Sequence, residues 1–226
     1  MKVRKTKNRK NLPVYTCLFL IVLLAGCNAK EGSKEQINIY VSPFYDSTPL
    51  QINVGEYSNR LKSDSPVKML RLADELKEKI DEVNALTLYV LSIRLYNLGE
   101  KDESVYWFYT AQFRARVMLD MAVGLDPTGA PAALGAFQDL TGRWINGYAF
   151  GDPDKAFSIL EQVIKDVQHM KYIKKAYPGY DFRPESEQAE VVSEQIKGLR
   201  KMIEYMSENK EDILRQRKEN GIEGKY

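Results

Sequence analysis

Residues 85–96, ALTLYVLSIRLY, are apolar or small on almost every side of a helix. Such a helix has no polar face to offer water, so other elements must surround it. This predicts a helix over 82–98 at the centre of a bundle. Its neighbours read as amphipathic. Ser65 stands before Pro66, a capping residue ahead of the residue favoured at the first helical position. Leu70, Ala73, Leu76 and Ile80 then recur at spacings of three and four among charges, which predicts a helix with one buried stripe. Toward the other end, Val191, Val192, Ile196, Leu199, Ile203, Met206, Ile213 and Leu214 mark the apolar side of a long charged helix over 185–218. The closing NGIEGKY is expected to fray.

An internal echo runs through the middle of the chain. YNLGEKDESVYWF and YAFGDPDKAFSIL align at a shift of 52 residues: Tyr96 with Tyr148, Gly99 with Gly151, Asp102 with Asp154, Ser104 with Ala156, Phe108 with Leu160. Each copy describes a helix, a glycine just past its end, an acidic start to a second helix, and a small residue where the two approach. These hairpins resemble tetratricopeptide or Sel1-like repeats over about residues 85–170. In that register Leu91, Leu95, Tyr96, Gly99, Ser104, Phe108 and Ala111 occupy the repeat's core positions in the first unit. Two departures stand out. Serine replaces the usual alanine at Ser104, and the period exceeds the familiar one of about 34. The extra length lies in VGLDPTGAPAALG, a Gly- and Pro-rich loop.

The first 26 residues read as an address. Six cations precede the apolar stretch from Val14 to Ala25, and no acid occurs before Glu31. That stretch spans about 18 Å as a helix, short of a hydrocarbon core of about 30 Å. Leu24-Ala25-Gly26-Cys27 follows, and it resembles the lipobox of bacterial lipoproteins. The resemblance implies acylation of Cys27 and cleavage before it. Two or three fatty chains, at about 0.8 kcal/mol per buried methylene, would hold the protein stably on a bilayer. Asn28 differs from the aspartate that resembles an inner-membrane retention signal, so the expected location is the cell envelope, at the periplasmic face of the outer membrane.

Cleavage takes six of the 33 basic residues with it, leaving 27 against 31 acidic ones, a net charge of −4. The apparent basicity belongs to the leader, and nucleic-acid binding loses its electrostatic argument. Of two cysteines, Cys17 departs and Cys27 becomes a thioether, so neither a disulfide nor a thiolate metal site is expected. The mature chain divides into a polar tether over 27–36, a small β-hairpin segment over 37–62 and a helical repeat-like domain over 63–220. The hairpin rests on INIYV and LQINVGEYS, which alternate apolar and polar around SPFYDSTP. The fold class is therefore mostly α, a bundle of repeat-like hairpins with a small N-terminal β-hairpin. A second loop, KKAYPGYDFRPES, precedes the last helix.

No motif of catalysis stands out. His169 is the single histidine, which excludes two-histidine zinc motifs, and it is expected at a helix end near solvent. Neither a GxSxG elbow nor a phosphate-binding GxxxxGK[ST] occurs. No catalytic residue, metal or cofactor is assigned. The most unusual stretch is VYWFYTAQFRAR, where Tyr106, Trp107, Phe108 and Tyr109 cover every side of one turn. Either all four are core, or Tyr106 or Trp107 lines a groove, where rigid aromatics contribute most to recognition. Arg94, Arg114 and Arg116 lie among apolar residues, which is costly unless each guanidinium is paired. They pair internally, for example Arg116 with Asp120, or they read an acidic segment of a partner. Trp144, between Gly142 and Gly147, is open to the same two readings. Arg94, Tyr106, Trp107, Arg114, Arg116 and Trp144 are thus the candidate partner-binding residues.

Together these features lead us to expect a lipid-anchored periplasmic module that binds a protein and is not an enzyme. The arrangement resembles small lipoproteins that serve as immunity partners of secreted effectors or as assembly factors. Two other classes stay open: an envelope hydrolase of lipid or glycan working through carboxylates, and a structural spacer.

Overall fold

A computed structural model describes residues 54–226. Cys27, the tether and the first expected strand lie outside them. Among the described residues there are seven α-helices and one two-stranded sheet, joined by 3-10 turns. The described part of the expected second strand is not extended. Gly55–Tyr57 and Arg60–Lys62 are 3-10 turns. Gly55 has φ +61°, a left-handed conformation that interrupts an extended path, and its carbonyl accepts from both the Ser58 N–H (3.2 Å) and hydroxyl (2.8 Å). Arg60 then grips Glu75 with both terminal nitrogens, at 2.9 and 2.6 Å.

Helix α1, Pro66–Glu78, begins where its signals place it: Ser65 Oγ accepts from the Lys68 N–H at 3.4 Å. Its buried residues are Met69, Leu72, Ala73 and Leu76. Leu70 and Ile80 of the expected stripe are only half-buried. Helix α2, Ala85–Asn97, is shorter than the predicted 82–98, because Ile80–Glu82 forms a separate 3-10 turn and Asn84 caps the helix, accepting from the Thr87 N–H at 2.9 Å. Ten of its thirteen residues are buried, as a helix with no polar face requires. Helix α3, Lys101–Met121, folds back against it and is buried almost continuously from Ser104 to Met121. All seven repeat-register residues of this first unit, except the turn glycine, are in the core.

Helix α3 is the spine of the molecule. Helices α4 (Ala130–Ala149), α5 (Pro153–Val167) and α6 (Glu185–Glu208) all pack on it, and α4 also meets α2. By contrast α4 and α5, though joined by three residues, hardly touch one another. Residues 130–135, read as loop from sequence, are helical, with Pro131 in the first turn of α4. Strand β1 (Ala122–Val123) runs antiparallel to β2 (Asp181–Phe182), with Ala122 opposite Phe182. This is the sheet the described residues contain, and it ties the end of α3 to the loop before α6. That loop is pinned by Gln188, whose Oε1 accepts from the Ile173 N–H at 2.7 Å while its Nε2 donates to the Lys171 carbonyl at 3.1 Å.

The predicted last helix is broken in two. Helix α6 ends at Glu208 and α7 spans Lys210–Glu219, with Asn209 between them donating from its side chain to the Tyr205 carbonyl at 2.6 Å. The break sends the chain back toward the α4–α5 turn. Lys210 pairs with Asp154, Arg217 lies against Gly151, and the tail expected to fray sets the Tyr226 ring on Gly147.

Candidate functional site

The return of α7 and the tail encloses a cleft of about 190 Å³ between the starts of α3 and α5 and the end of α4. Its apolar wall comes from Val105, Ala149, Ala156 and Ile159. Gly147 forms the floor. A methyl group there would lie 2.7 Å from the Tyr226 ring, which packs edge-on to Trp144 with centroids 5.9 Å apart. The bare backbone at 147 is what lets an aromatic ring seat there.

The polar side of the cleft is an ordered ladder. Lys101 sits between the two echoed tyrosines, 5.1 Å from the Tyr96 ring centre and 5.2 Å from that of Tyr148. Burial pulls the Lys101 pKa down. Asp102 accepts from the Tyr148 hydroxyl at 2.7 Å and from Lys155 Nζ at 3.4 Å. Burial, then the bond to Asp102, pushes the Tyr148 pKa up, and the same aspartate raises that of Lys155. Asp152 caps α5, accepting from the Lys155 N–H at 3.2 Å. Both carboxylates of the cleft are thus engaged, one as acceptor and one as cap.

Arg217 is the exception. It is 6% exposed, its Nη2 lies 3.3 Å from where a side chain on Gly151 would begin, and its Nη1 is buried without a hydrogen-bond partner among the described residues. Burial depresses its pKa, against the opposing pull of Tyr226 and Glu223. A guanidinium stays charged even so, and leaving one of its donors unsatisfied costs free energy. Arg217 thus lines the cleft beside its apolar wall, with one guanidinium donor buried out of reach of solvent.

The candidate residues chosen from sequence fall elsewhere and are divided. Trp107 and Arg114 are corrected: both are about 1% exposed, so neither side chain offers a surface to a partner. Trp107 faces inward because α3 is covered all round. Arg114 donates to the Val83 carbonyl at 3.3 Å and is held beside Tyr177 and Asp81. Tyr106 is half-buried and donates to Asp166 at 2.7 Å, with Lys77 over its ring at 4.7 Å and bonded to the same carboxylate at 3.0 Å. Arg94 pairs with Asp64 at 2.7 Å and donates to the Ser63 carbonyl at 3.0 Å. Arg116 is half-buried near Tyr89, Tyr109 and Asp120. Of the six, only Trp144 borders the cleft, through Tyr226. His169 is exposed just beyond α5. Arg217 was missed, although the sequence carries its signal: it continues the stripe of Met206, Ile213 and Leu214 at helical spacing, a charge where an apolar residue belongs.

No family model matches the chain, and no solved structure matches it. It is similar to a protein of Haemophilus influenzae described as uncharacterized, 26% identical over 170 residues, which cover 70% of this chain and 64% of the relative. The chain thus spans less than two thirds of that relative's length. Among the described residues no helix is long and apolar enough to cross a membrane, and no cluster of His, Cys, Asp or Glu could hold a metal.

Proposed function

We propose that this protein is a lipid-anchored envelope protein whose helical body binds another protein. The observation that carries the reading is Leu24-Ala25-Gly26-Cys27 behind a short apolar stretch and six cations, which resembles a lipobox. Acylated at Cys27, the body would be held within a tether's length of the membrane, at the periplasmic face of the outer membrane. Binding is supported by the cleft beside α7, whose apolar wall of Val105, Ala149, Ala156 and Ile159 stands beside polar side chains. A divergent repeat-like origin for about 85–170 fits the same reading, since helical repeats serve widely as protein-binding scaffolds. Immunity to a secreted effector and assistance in envelope assembly are the two roles this class suggests. The test has two parts. Mass spectrometry of the native product should find Cys27 acylated and first in the chain, and affinity capture from solubilised envelope should retrieve one stoichiometric protein. An intact leader with an unmodified thiol would remove the proposal.

A further inference from the structure

We propose that residues 210–226, helix α7 with its tail, form a strap that opens as a unit at Asn209 and so regulates access to the cleft it closes. The inference rests on the protein-binding reading above and concerns when that site can be reached. The strap is well fastened to itself. Past the end of α7, Gly221 has φ +62°, its N–H bonds the Lys218 carbonyl at 3.0 Å, and the Ile222 N–H reaches the Arg217 carbonyl at 3.1 Å. This paired closure ties the tail to the helix. Arg215 likewise pairs inside the strap, with Asp212 at 2.8 Å and Glu219 at 3.8 Å.

Its ties to the body are of weaker kinds. Lys210 meets Asp154 at the surface, where the aspartate side chain is 72% exposed and an ion pair contributes little. Ile213 and Leu214 are half-buried, and Arg217 is the buried residue of α7. Closure is costly at that residue, because Nη1 has no partner among the described residues and would regain water once the strap lifts. The Tyr226 ring, seated on Gly147 and edge-on to Trp144, is the anchor at the far end. At the near end Asn209 interrupts the helix and bonds back to the Tyr205 carbonyl, a joint between the strap and α6, which packs on α3. Arg217, Gly224 and Tyr226 supply the strap's side of the cleft, whereas Val105, Ala149, Ala156 and Ile159 belong to the body. Lifting the strap therefore opens the apolar wall. A charged helix of ten residues is marginal alone in water, so a lifted α7 also unwinds and its amides exchange.

The experiment is hydrogen exchange on the full chain in detergent, wild type and Tyr226→Ala, read by NMR. Amides of residues 214–219 should share one protection factor, at least a hundredfold below that of the buried amides of α3. Tyr226→Ala should lower that shared value at least threefold as far back as residue 214, with α3 unchanged. In the same samples, relaxation of the Ile159 methyls by a soluble gadolinium chelate should at least double in the variant. Circular dichroism melts report that the variant's body is folded. Three results would overturn the proposal: α7 amides that exchange only with those of α3, a Tyr226→Ala effect confined to residues 222–226, or an Ile159 relaxation that does not change. If any of these is found while envelope capture still retrieves one protein, the strap is wrong and the function stands. A strap that opens as described in a protein that captures nothing has the opposite meaning.

Discussion

The two echoed hairpins share a pattern of tyrosine, glycine and aspartate and fold differently. In the first, Gly99 has φ +92°, its N–H bonds the Tyr96 carbonyl at 3.1 Å, and the Glu100 N–H reaches the Leu95 carbonyl at 3.0 Å, a paired closure of the helix end. In the second, Gly151 does not take a left-handed φ; its N–H bonds Tyr148 at 2.9 Å and the Asp152 N–H bonds Ala149 at 3.2 Å, continuing in tight turns. The first turn brings α2 and α3 together along their lengths. The second leaves α4 and α5 apart, both resting on α3. One glycine is present for its backbone angle, the other for the room it gives a guanidinium.

The largest contrast is expected in the core. Phe108, ringed by Tyr89 and Tyr109 and touching the Gly142 position at 3.5 Å, should cost about 3–5 kcal/mol when changed to alanine. Its echo Leu160, also fully buried, should cost about 2–5 kcal/mol as Leu160→Ala, toward the lower end because α5 has fewer neighbours to lose. Denaturant unfolding checks both, and a costlier Leu160→Ala would break the contrast. The turns come next. Gly99→Ala must force a side chain into the left-handed region, at about 1–2 kcal/mol.

Gly151→Ala escapes that penalty but crowds the Tyr148 carbonyl at 3.1 Å and Arg217 at 3.3 Å. Its effect should therefore couple to Arg217→Met by about 0.5 kcal/mol or more in a double-mutant cycle, whereas Gly99→Ala should show no coupling. Gly147→Ala should displace the Tyr226 ring, whose Cγ would lie 2.7 Å from the added carbon, with a loss of about 1 kcal/mol that vanishes in Tyr226→Ala. Ring-to-indole contacts between Tyr226 and Trp144, observed by NMR, report it directly.

The smallest effect lies outside both hairpins. Arg60 holds the Glu75 pKa down to about 2 from the usual 4.5. A depressed carboxylate contributes stability above its unfolded pKa, and that contribution is lost as pH falls from about 4.5 toward about 2. Wild type and Glu75→Gln should accordingly differ slightly at neutral pH and converge over that window, in thermal melts at stepped pH.

How much of this was legible in the chain depends on range. Ser65 and Pro66, the apolar run of α2 and the alternation from turn to helix at Gly99 are local, and the sequence signals place them correctly. The echo identified two helix-turn-helix segments but not their packing, because the packing of α4 and α5 follows from what α3 presents to each. Trp107 and Arg114 could not be told from surface residues, since on a helix covered all round every position looks alike in a window of sequence. Asn209 breaks a stripe that otherwise continues to Leu214, and the cleft exists only because of that break. Its residues are drawn from segments spread over more than a hundred positions, from Asp102 to Tyr226.

The central place of α3 also governs how the body comes undone. In a linear array each unit meets only its neighbours and can melt from an end. Here four of the other helices share a single scaffold, so loosening that one helix releases all of them at once. Loss of structure over 85–208 should be a concerted event with one midpoint by every probe.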